Sequence, residues 1–268
     1  MMPAVTPDTS PPQISNEDSS GNGPRRGIYL LPNLLTTGCL FSGFYSIVAA
    51  VDTNFAFAGA AVFIAMLFDG LDGRVARWTG TESPFGKEYD SLADMVAFGV
   101  APAVLVYQWG VIRIAEYGAE WRQFGWVIAF LYCACAALRL ARFNTRSSGD
   151  KRYFEGLPSP SAAAVVASFV WFFANWREPG LPGLLLAFAV TGYAAALMVS
   201  PFSYVSMKQI DVDQRVKYSY FGFVILPMLA LIVVDPPTML FAMFVSYASY
   251  GPVQWLVRKM RRPRAGAA

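Results

Sequence analysis

Runs of about twenty mostly apolar residues recur along this chain, and that recurrence limits the fold more than any other feature of the sequence. A membrane-spanning helix needs about 20 such residues. Eight stretches are candidates: residues 30–51, 55–71, 91–111, 124–141, 160–175, 181–201, 219–234 and 237–256. The fifth and seventh are short. Asp235-Pro236-Pro237 alone parts the last two, and Pro-Pro suits a tight turn at a membrane edge. Composition agrees, with 55% hydrophobic and 15% charged residues against about 45–50% and about 25% in soluble domains. The expected fold is all-α, a polytopic membrane helical bundle of about eight transmembrane helices.

Charge placement tests the count. With eight spans and an inside N-terminus, 18 of the 21 Lys and Arg residues fall on one side, and only Arg113, Arg122 and Arg177 on the other. The positive-inside rule makes the rich side cytoplasmic, so both termini are expected in the cytoplasm. An odd number of spans would break the asymmetry. Residues 1–27 are rich in Pro, Ser, Asn and Gly and have no signal-peptide h-region, so they read as a disordered cytoplasmic tail. Residues 28–257 form the expected bundle, and 258–268 a basic cytoplasmic tail.

Several chemistries are excluded at once. The chain has no histidine, so a Ser-His-Asp triad, an HExxH zinc site and a His general base are out. It has no GxxxxGK[ST] loop for nucleotide phosphates, and no nucleic-acid partner is expected. Cys39, Cys133 and Cys135 lie inside candidate spans. They read as small buried hydrophobes, not as ligands.

Residues 69–94 do not fit a chain that merely crosses a membrane. Asp69 and Asp72 stand three apart where the second span closes, and Asp90 and Asp94 four apart where the third opens. Each spacing puts its pair on one helix face, and a helical hairpin would bring the pairs together. An Asp near a membrane-helix centre costs about 2.5–3.5 kcal/mol on insertion scales, less near the interface, and clustered carboxylates repel one another. Hard divalent cations with oxygen ligands would offset both costs. The plain alternative is a loop of solvated acids at a membrane edge. Gly73, Ala76 and Gly86 leave room for a ligand to approach backbone, and Arg77 suits bidentate phosphate contact. Together these residues point to a diphosphate ligand held through metal.

The spacing Asp69-x2-Asp72-Gly73-x2-Ala76-Arg77-x8-Gly86-x3-Asp90-x3-Asp94 resembles the signature of the CDP-alcohol phosphotransferases. These are membrane enzymes that displace CMP from a CDP-linked donor with an alcohol. Leu31–Thr36, Leu138–Asn144 and Gly156–Pro160 are further similar to the integral-membrane branch whose acceptor is serine. Cys39 departs from the pattern, standing where many relatives carry Asn. The resemblance implies CDP-diacylglycerol and L-serine as substrates, phosphatidylserine and CMP as products, a membrane-lipid setting and a homodimer. It implies two divalent cations, Mg²⁺ or Mn²⁺, held by Asp69, Asp72, Asp90 and Asp94, with Asp94 as general base. It places Asn33, Asp69, Gly73, Ala76, Arg77, Gly86 and Asp90 around the CDP part.

Serine carries a carboxylate and an ammonium, so an Arg should line its site. Arg139, Arg142, Asn144 and Ser159 are the candidates. Arg139 and Arg142 share a face by spacing, and read equally well as positive-inside anchors. Glycerol phosphate or inositol phosphate as acceptor would bring an extra phosphate and need a denser basic pocket. A cation transporter is the competitor from another class, but there is no internal repeat and the acids sit at one edge. Trp109, Trp121, Trp126, Trp171, Trp176 and Trp255 lie near span ends and read as interfacial belts. Trp78, next to Arg77, reads equally as a nucleotide cover or an interfacial residue.

Overall fold

The computed structural model describes residues 30–114, 117–145, 153–174, 180–205 and 230–261. Its elements are helical apart from one small ribbon. Helix α1 spans Leu30–Val51 and α2 spans Phe55–Thr79. A continuous helical path follows: α3 (Pro84–Asp94), a first π-helical turn (Met95–Val100), α4 (Ala101–Val106), a second π-helical turn (Tyr107–Val111) and α5 (Ile112–Ile114). Then come α6 (Ala119–Thr145), strand β1 (Tyr153–Glu155), α7 (Ser159–Ala174), α8 (Gly180–Val199), strand β2 (Ser203–Val205) and α9 (Pro236–Arg261).

Five of these helical segments are long and apolar enough to cross a membrane: Leu31–Val51, Phe55–Thr79, Pro84–Gly110, Gln123–Thr145 and Gly180–Val199. The helical membrane bundle therefore stands, and the count among the described residues is five, against the expected eight. Two of the other three stretches are helical. Helix α7 is apolar but has only 16 residues, and α9 carries Ser, Thr and Gln and has Arg258, Lys259 and Arg261 in its last turn. The stretch 219–234 lies mostly outside the described residues, as do residues 1–27 and 262–268. Asp235 ends the segment before α9, with its side chain near the Thr238 amide and Pro236 at the first helical position.

Sequence chemistry explains the hairpin between α2 and α3. Gly80 adopts φ 63°, the left-handed conformation that ends α2. Its N–H reaches the Arg77 carbonyl, and the Thr81 N–H reaches that of Ala76 at 3.1 Å, as in a Schellman stop. Two residues later Ser83 caps α3, its Oγ accepting from the Gly86 N–H at 3.0 Å, with Pro84 following.

The first π turn traces to Pro102. Proline has no N–H and cannot bond the carbonyl four residues back, which is that of Phe98. The buried Tyr132 hydroxyl of α6 donates to that carbonyl at 3.0 Å instead, and the Ala101 N–H reaches back to Val96. Such turns are common at functional sites, and this one begins immediately after Asp94.

Helix α7 is the hub, with Ser159 and the run from Ala162 to Val170 all buried. A helix apolar on all sides belongs in a core. It packs on α2, α4, α8 and α9. Small residues set the close approaches: a Cβ on Gly43 of α1 would lie 2.7 Å from the Ala97 Cα, and one on Gly59 of α2 would lie 2.9 Å from the Trp171 Cβ.

The sequence reading did not anticipate the ribbon. Strands β1 and β2 pair antiparallel, Tyr153 opposite Val205 and Glu155 opposite Ser203. Gly156 follows at φ 83° and leaves no room for a side chain, since a Cβ would sit 2.3 Å from the Met198 carbonyl oxygen.

The tryptophans need one correction. Trp109 is only 1% exposed and packs edge-on against Phe169 at 5.8 Å. The helix runs on beyond it to Ile114, so the ring faces the core and not a membrane interface. Trp121, Trp126 and Trp255 are exposed, Trp171 is half-buried against Phe63, and Trp176 lies outside the described residues. Cys39 and Cys135 are buried as expected, while Cys133 is half-buried.

Candidate active site

The acidic hairpin closes as its spacing requires. Asp69 and Asp72 lie inside α2, which continues to Thr79, and Asp90 and Asp94 lie inside the helical path that starts at Pro84. Neither pair ends or opens its helix; both helices extend past the apolar stretch. Carboxylate oxygens of Asp69, Asp72 and Asp90 fall within 4.8 Å of one another. Asp94 adjoins Asp69, and its Oδ1 is buried with no hydrogen-bond partner among the described residues.

An oxygen-only donor set, three converging carboxylates and an orphaned fourth oxygen fit hard divalent cations. Asp72 is the most enclosed of the set, 4% exposed, and accepts a 2.8 Å hydrogen bond from Thr36 Oγ1 of α1. A partner of that kind fixes the orientation of a ligating carboxylate.

A cleft of about 700 Å³ opens beside the acids. Asn33, Asp72, Gly73, Ala76, Arg77, Gly86 and Asp90 line it, so the structure gathers nearly every residue assigned to the nucleotide part. Asp69 is next to it through the carboxylate cluster. Gly86 keeps the floor open, since a Cβ there would lie 3.1 Å from Ser83 Oγ and 3.4 Å from Asn33 Oδ1. Trp78 is 84% exposed and does not line the cleft, which favours the interfacial reading over the covering one.

Helix α1 supplies a polar edge that the sequence reading only partly caught. Asn33 is among the residues expected at the site; Thr36, one helical turn on, is not. Thr37 bonds the Tyr89 hydroxyl at 3.0 Å and ties α1 to α3. The spacing of Asn33, Thr36 and Cys39 along one face of an apolar helix is the signal that could have found Thr36. Thr81, Ser83 and Lys87 also line the cleft, and the Ser83-Pro84 start signal would have placed Ser83.

The four candidate acceptor residues separate. Arg139 of α6 donates from Nη1 to Ser159 Oγ at the start of α7, at 2.9 Å. Asp94 lies within electrostatic reach of Arg139. Asn144 Nδ2 instead donates to Ser91 Oγ at 2.9 Å, pinning α6 to α3. Arg142 is exposed. Arg139 and Ser159 thus form one unit beside the acids, while Asn144 acts one turn further along.

The family model described as CDP-alcohol phosphatidyltransferase matches residues 29–202. The chain is 36% identical over 237 residues to a Helicobacter pylori protein named CDP-diacylglycerol–serine O-phosphatidyltransferase, covering 87% of this chain and 94% of that one. A Mycobacterium tuberculosis protein of the same name is 32% identical over 253 residues, covering 88% and 82% respectively. A Methanothermobacter thermautotrophicus protein named archaetidylserine synthase is 37% identical over 176 residues, covering 65% and 69%.

Proposed function

Because the chain belongs to the CDP-alcohol phosphatidyltransferase family, we propose that it transfers the phosphatidyl group of CDP-diacylglycerol to the hydroxyl of L-serine, giving phosphatidylserine and CMP. The observation that carries this reading is the meeting of Asp69, Asp72 and Asp90 at the edge of a 700 Å³ cleft lined by Asn33, Gly73, Ala76, Arg77 and Gly86. Serine as acceptor draws support from the relatives, whose names differ in the lipid and share the serine.

Asp69, Asp72, Asp90 and Asp94 would hold two divalent cations, Mg²⁺ or Mn²⁺, which when bound neutralise charge on the attacking and leaving oxygens of an in-line displacement. Arg77 holds the diphosphate, and the small residues Gly73, Ala76 and Gly86 let it lie against backbone. The Asp94 carboxylate takes the proton of the serine hydroxyl. The serine oxygen then forms a bond to the phosphorus that carries the diacylglycerol, and the bond from that phosphorus to CMP breaks. No covalent enzyme intermediate is needed. Arg139 and Ser159 hold the acceptor beside Asp94, with Asn144 setting the position of α6 and Arg142 adding positive charge at its end.

The proposed setting rests on the charge pattern. On the eight-span reading the Arg- and Lys-rich side would face the cytoplasm, and the proposed site would open there on a bacterial cytoplasmic membrane, where a lipid donor and a water-soluble acceptor meet. The test is an acceptor screen on the purified chain with CDP-diacylglycerol, Mn²⁺ or Mg²⁺, and labelled serine, glycerol phosphate or inositol phosphate, with and without chelator. Phosphatidylserine and CMP in equal amounts, lost on chelation, are expected. Another lipid in place of phosphatidylserine would overturn the serine reading, and ion transport without CMP release would overturn the enzyme reading.

A further inference from the structure

We infer that Tyr132 of α6 and Pro102 of α4 are a positioning pair: together they hold open the π turn Met95–Val100, and that turn sets the rotation at which Asp90 and Asp94 meet Asp69 and Asp72. This deepens the metal reading above and rests on it.

The segment Pro84–Gly110 runs as one helical path, but its winding changes at Met95–Val100. In an α-helix each residue advances about 100°. A π turn holds about one residue more than an α turn. The half that carries Asp90 and Asp94 is therefore turned by roughly 100° from where an unbroken α-helix would put it.

The two halves are anchored separately. Before the turn, Tyr89 bonds Thr37 of α1 at 3.0 Å, and Ser91 accepts from Asn144 of α6 at 2.9 Å. After it, Leu105 and Val106 are buried, and Trp109 packs edge-on against Phe169 of α7 at 5.8 Å. With the second half held in the core, closing the turn to an α-helix would swing both carboxylates off the α2 pair. The turn itself is supported on two sides. Pro102 denies the Phe98 carbonyl its α-helical donor, and the buried Tyr132 hydroxyl supplies one at 3.0 Å. Opposite, Gly43 of α1 admits the widened backbone, since a Cβ there would lie 2.7 Å from the Ala97 Cα.

Tyr204 of β2 provides a built-in control. It is fully buried, its ring 5.7 Å from that of Tyr247 in α9. Its hydroxyl donates to the Ala248 carbonyl at 2.9 Å, which needs a donor because Pro252, four residues on, has no N–H. Gly251 makes the room, since a Cβ there would lie 2.5 Å from the Tyr204 ring. Yet α9 stays α-helical through Pro252, so this pair sets no rotation, and α9 carries none of the four aspartates.

The test uses the purified full chain in mixed micelles. It reads Mn²⁺ binding from the loss of the free-ion paramagnetic resonance signal, the thermal midpoint, and CMP release from CDP-diacylglycerol. Tyr132→Phe leaves the Phe98 carbonyl without its donor, and its midpoint should fall. Adding Pro102→Ala restores an N–H four residues on, which reaches that carbonyl by closing the turn to an α-helix. The double variant Tyr132→Phe/Pro102→Ala should regain the midpoint while its Kd for Mn²⁺ rises about 10–100-fold, as when metal ligands lose their support, and its kcat should fall in parallel. Tyr204→Phe should lower the midpoint and leave the Mn²⁺ Kd within about twofold. A merely structural tyrosine predicts that midpoint and Mn²⁺ affinity recover together in the double variant, and that result overturns the inference. So does a double variant less stable than Tyr132→Phe, or a Tyr204→Phe that weakens Mn²⁺ binding as much as the double variant does. A wild-type chain that binds no Mn²⁺ overturns both readings; one that binds it beside a double variant of equal affinity overturns this one alone.

Discussion

The proposed donor and acceptor sides of the site are assembled by opposite means. The donor side is one helical hairpin leaning on α1: its acids, glycines and arginine all lie between residues 69 and 94, joined by the short turn at Gly80–Ser83. The proposed acceptor side joins Arg139 of α6 to Ser159 at the start of α7, with the β ribbon leading into Ser159, so its parts are distant in sequence. Yet both sides share one device, a tyrosine hydroxyl that serves the carbonyl a proline has stranded. Tyr132 serves Phe98 where Pro102 follows, and Tyr204 serves Ala248 where Pro252 follows. At Pro102 the helix widens into a π turn directly after Asp94; at Pro252 it remains α-helical. The same chemistry thus shapes the backbone on the donor side and only braces it on the acceptor side.

The largest effects should come from the donor side, where the proposed groups would touch the reacting atoms. Asp94→Asn keeps size and removes the proton acceptor, and CMP release should fall by about 10²–10⁴, the usual worth of general-base catalysis. Chelation should stop turnover and added Mn²⁺ or Mg²⁺ restore it. Thr36→Val leaves every carboxylate in place but frees Asp72 to rotate. The Mn²⁺ concentration for half activity should rise about 10–100-fold, as for other supporting partners of metal ligands. An unchanged metal titration would mean that Thr36 only satisfies its own helix, through the 3.1 Å bond to the Pro32 carbonyl.

The two tyrosine devices allow a matched comparison. Tyr132→Phe and Tyr204→Phe each leave a buried carbonyl without its donor, which costs about 1–3 kcal/mol, readable as a lower thermal midpoint in detergent. Their kinetic signatures should differ. Tyr132→Phe loosens the turn after Asp94 and should lower kcat, whereas Tyr204→Phe should raise the serine KM. Equal kinetic effects would erase the distinction between shaping and bracing.

This difference also explains what the sequence could reveal. The four aspartates were legible because spacings of three and four residues are themselves helical geometry, and a hairpin was enough to unite them. Thr36 was not, because a hydroxyl in an apolar helix commonly bonds its own backbone, as Thr36 also does. The π turn was hidden because Pro102 needs Tyr132, a residue of another helix, to make sense of it. Tyr204, Gly251 and Tyr247 were invisible for the same reason at longer range, since no local period links a ribbon to the last helix. Of the four acceptor candidates, Arg139 and Ser159 were paired by tertiary packing that sequence spacing could not express. Arg142 shares a face with Arg139 by spacing and lies exposed near the end of α6.

The smallest effect belongs to Trp78, and it marks where the donor side stops. The residue follows Arg77 directly, so proximity in sequence argues for a part in nucleotide binding. The last turn of α2 decides otherwise. Successive residues on a helix point about 100° apart, so with Arg77 lining the cleft, Trp78 is turned away from it, 84% exposed. An amphipathic ring in that position suits a membrane interface. Trp78→Ala should leave kcat and the KM for CDP-diacylglycerol within about twofold, in keeping with the small effect of most surface substitutions. A tenfold rise in that KM would instead extend the donor side past Arg77 and make its border broader than the cleft. Trp109→Ala gives the contrast: its ring is packed against Phe169 and Phe173, and its removal should cost about 3–5 kcal/mol of stability although it stands further from the acids in sequence than Trp78 does.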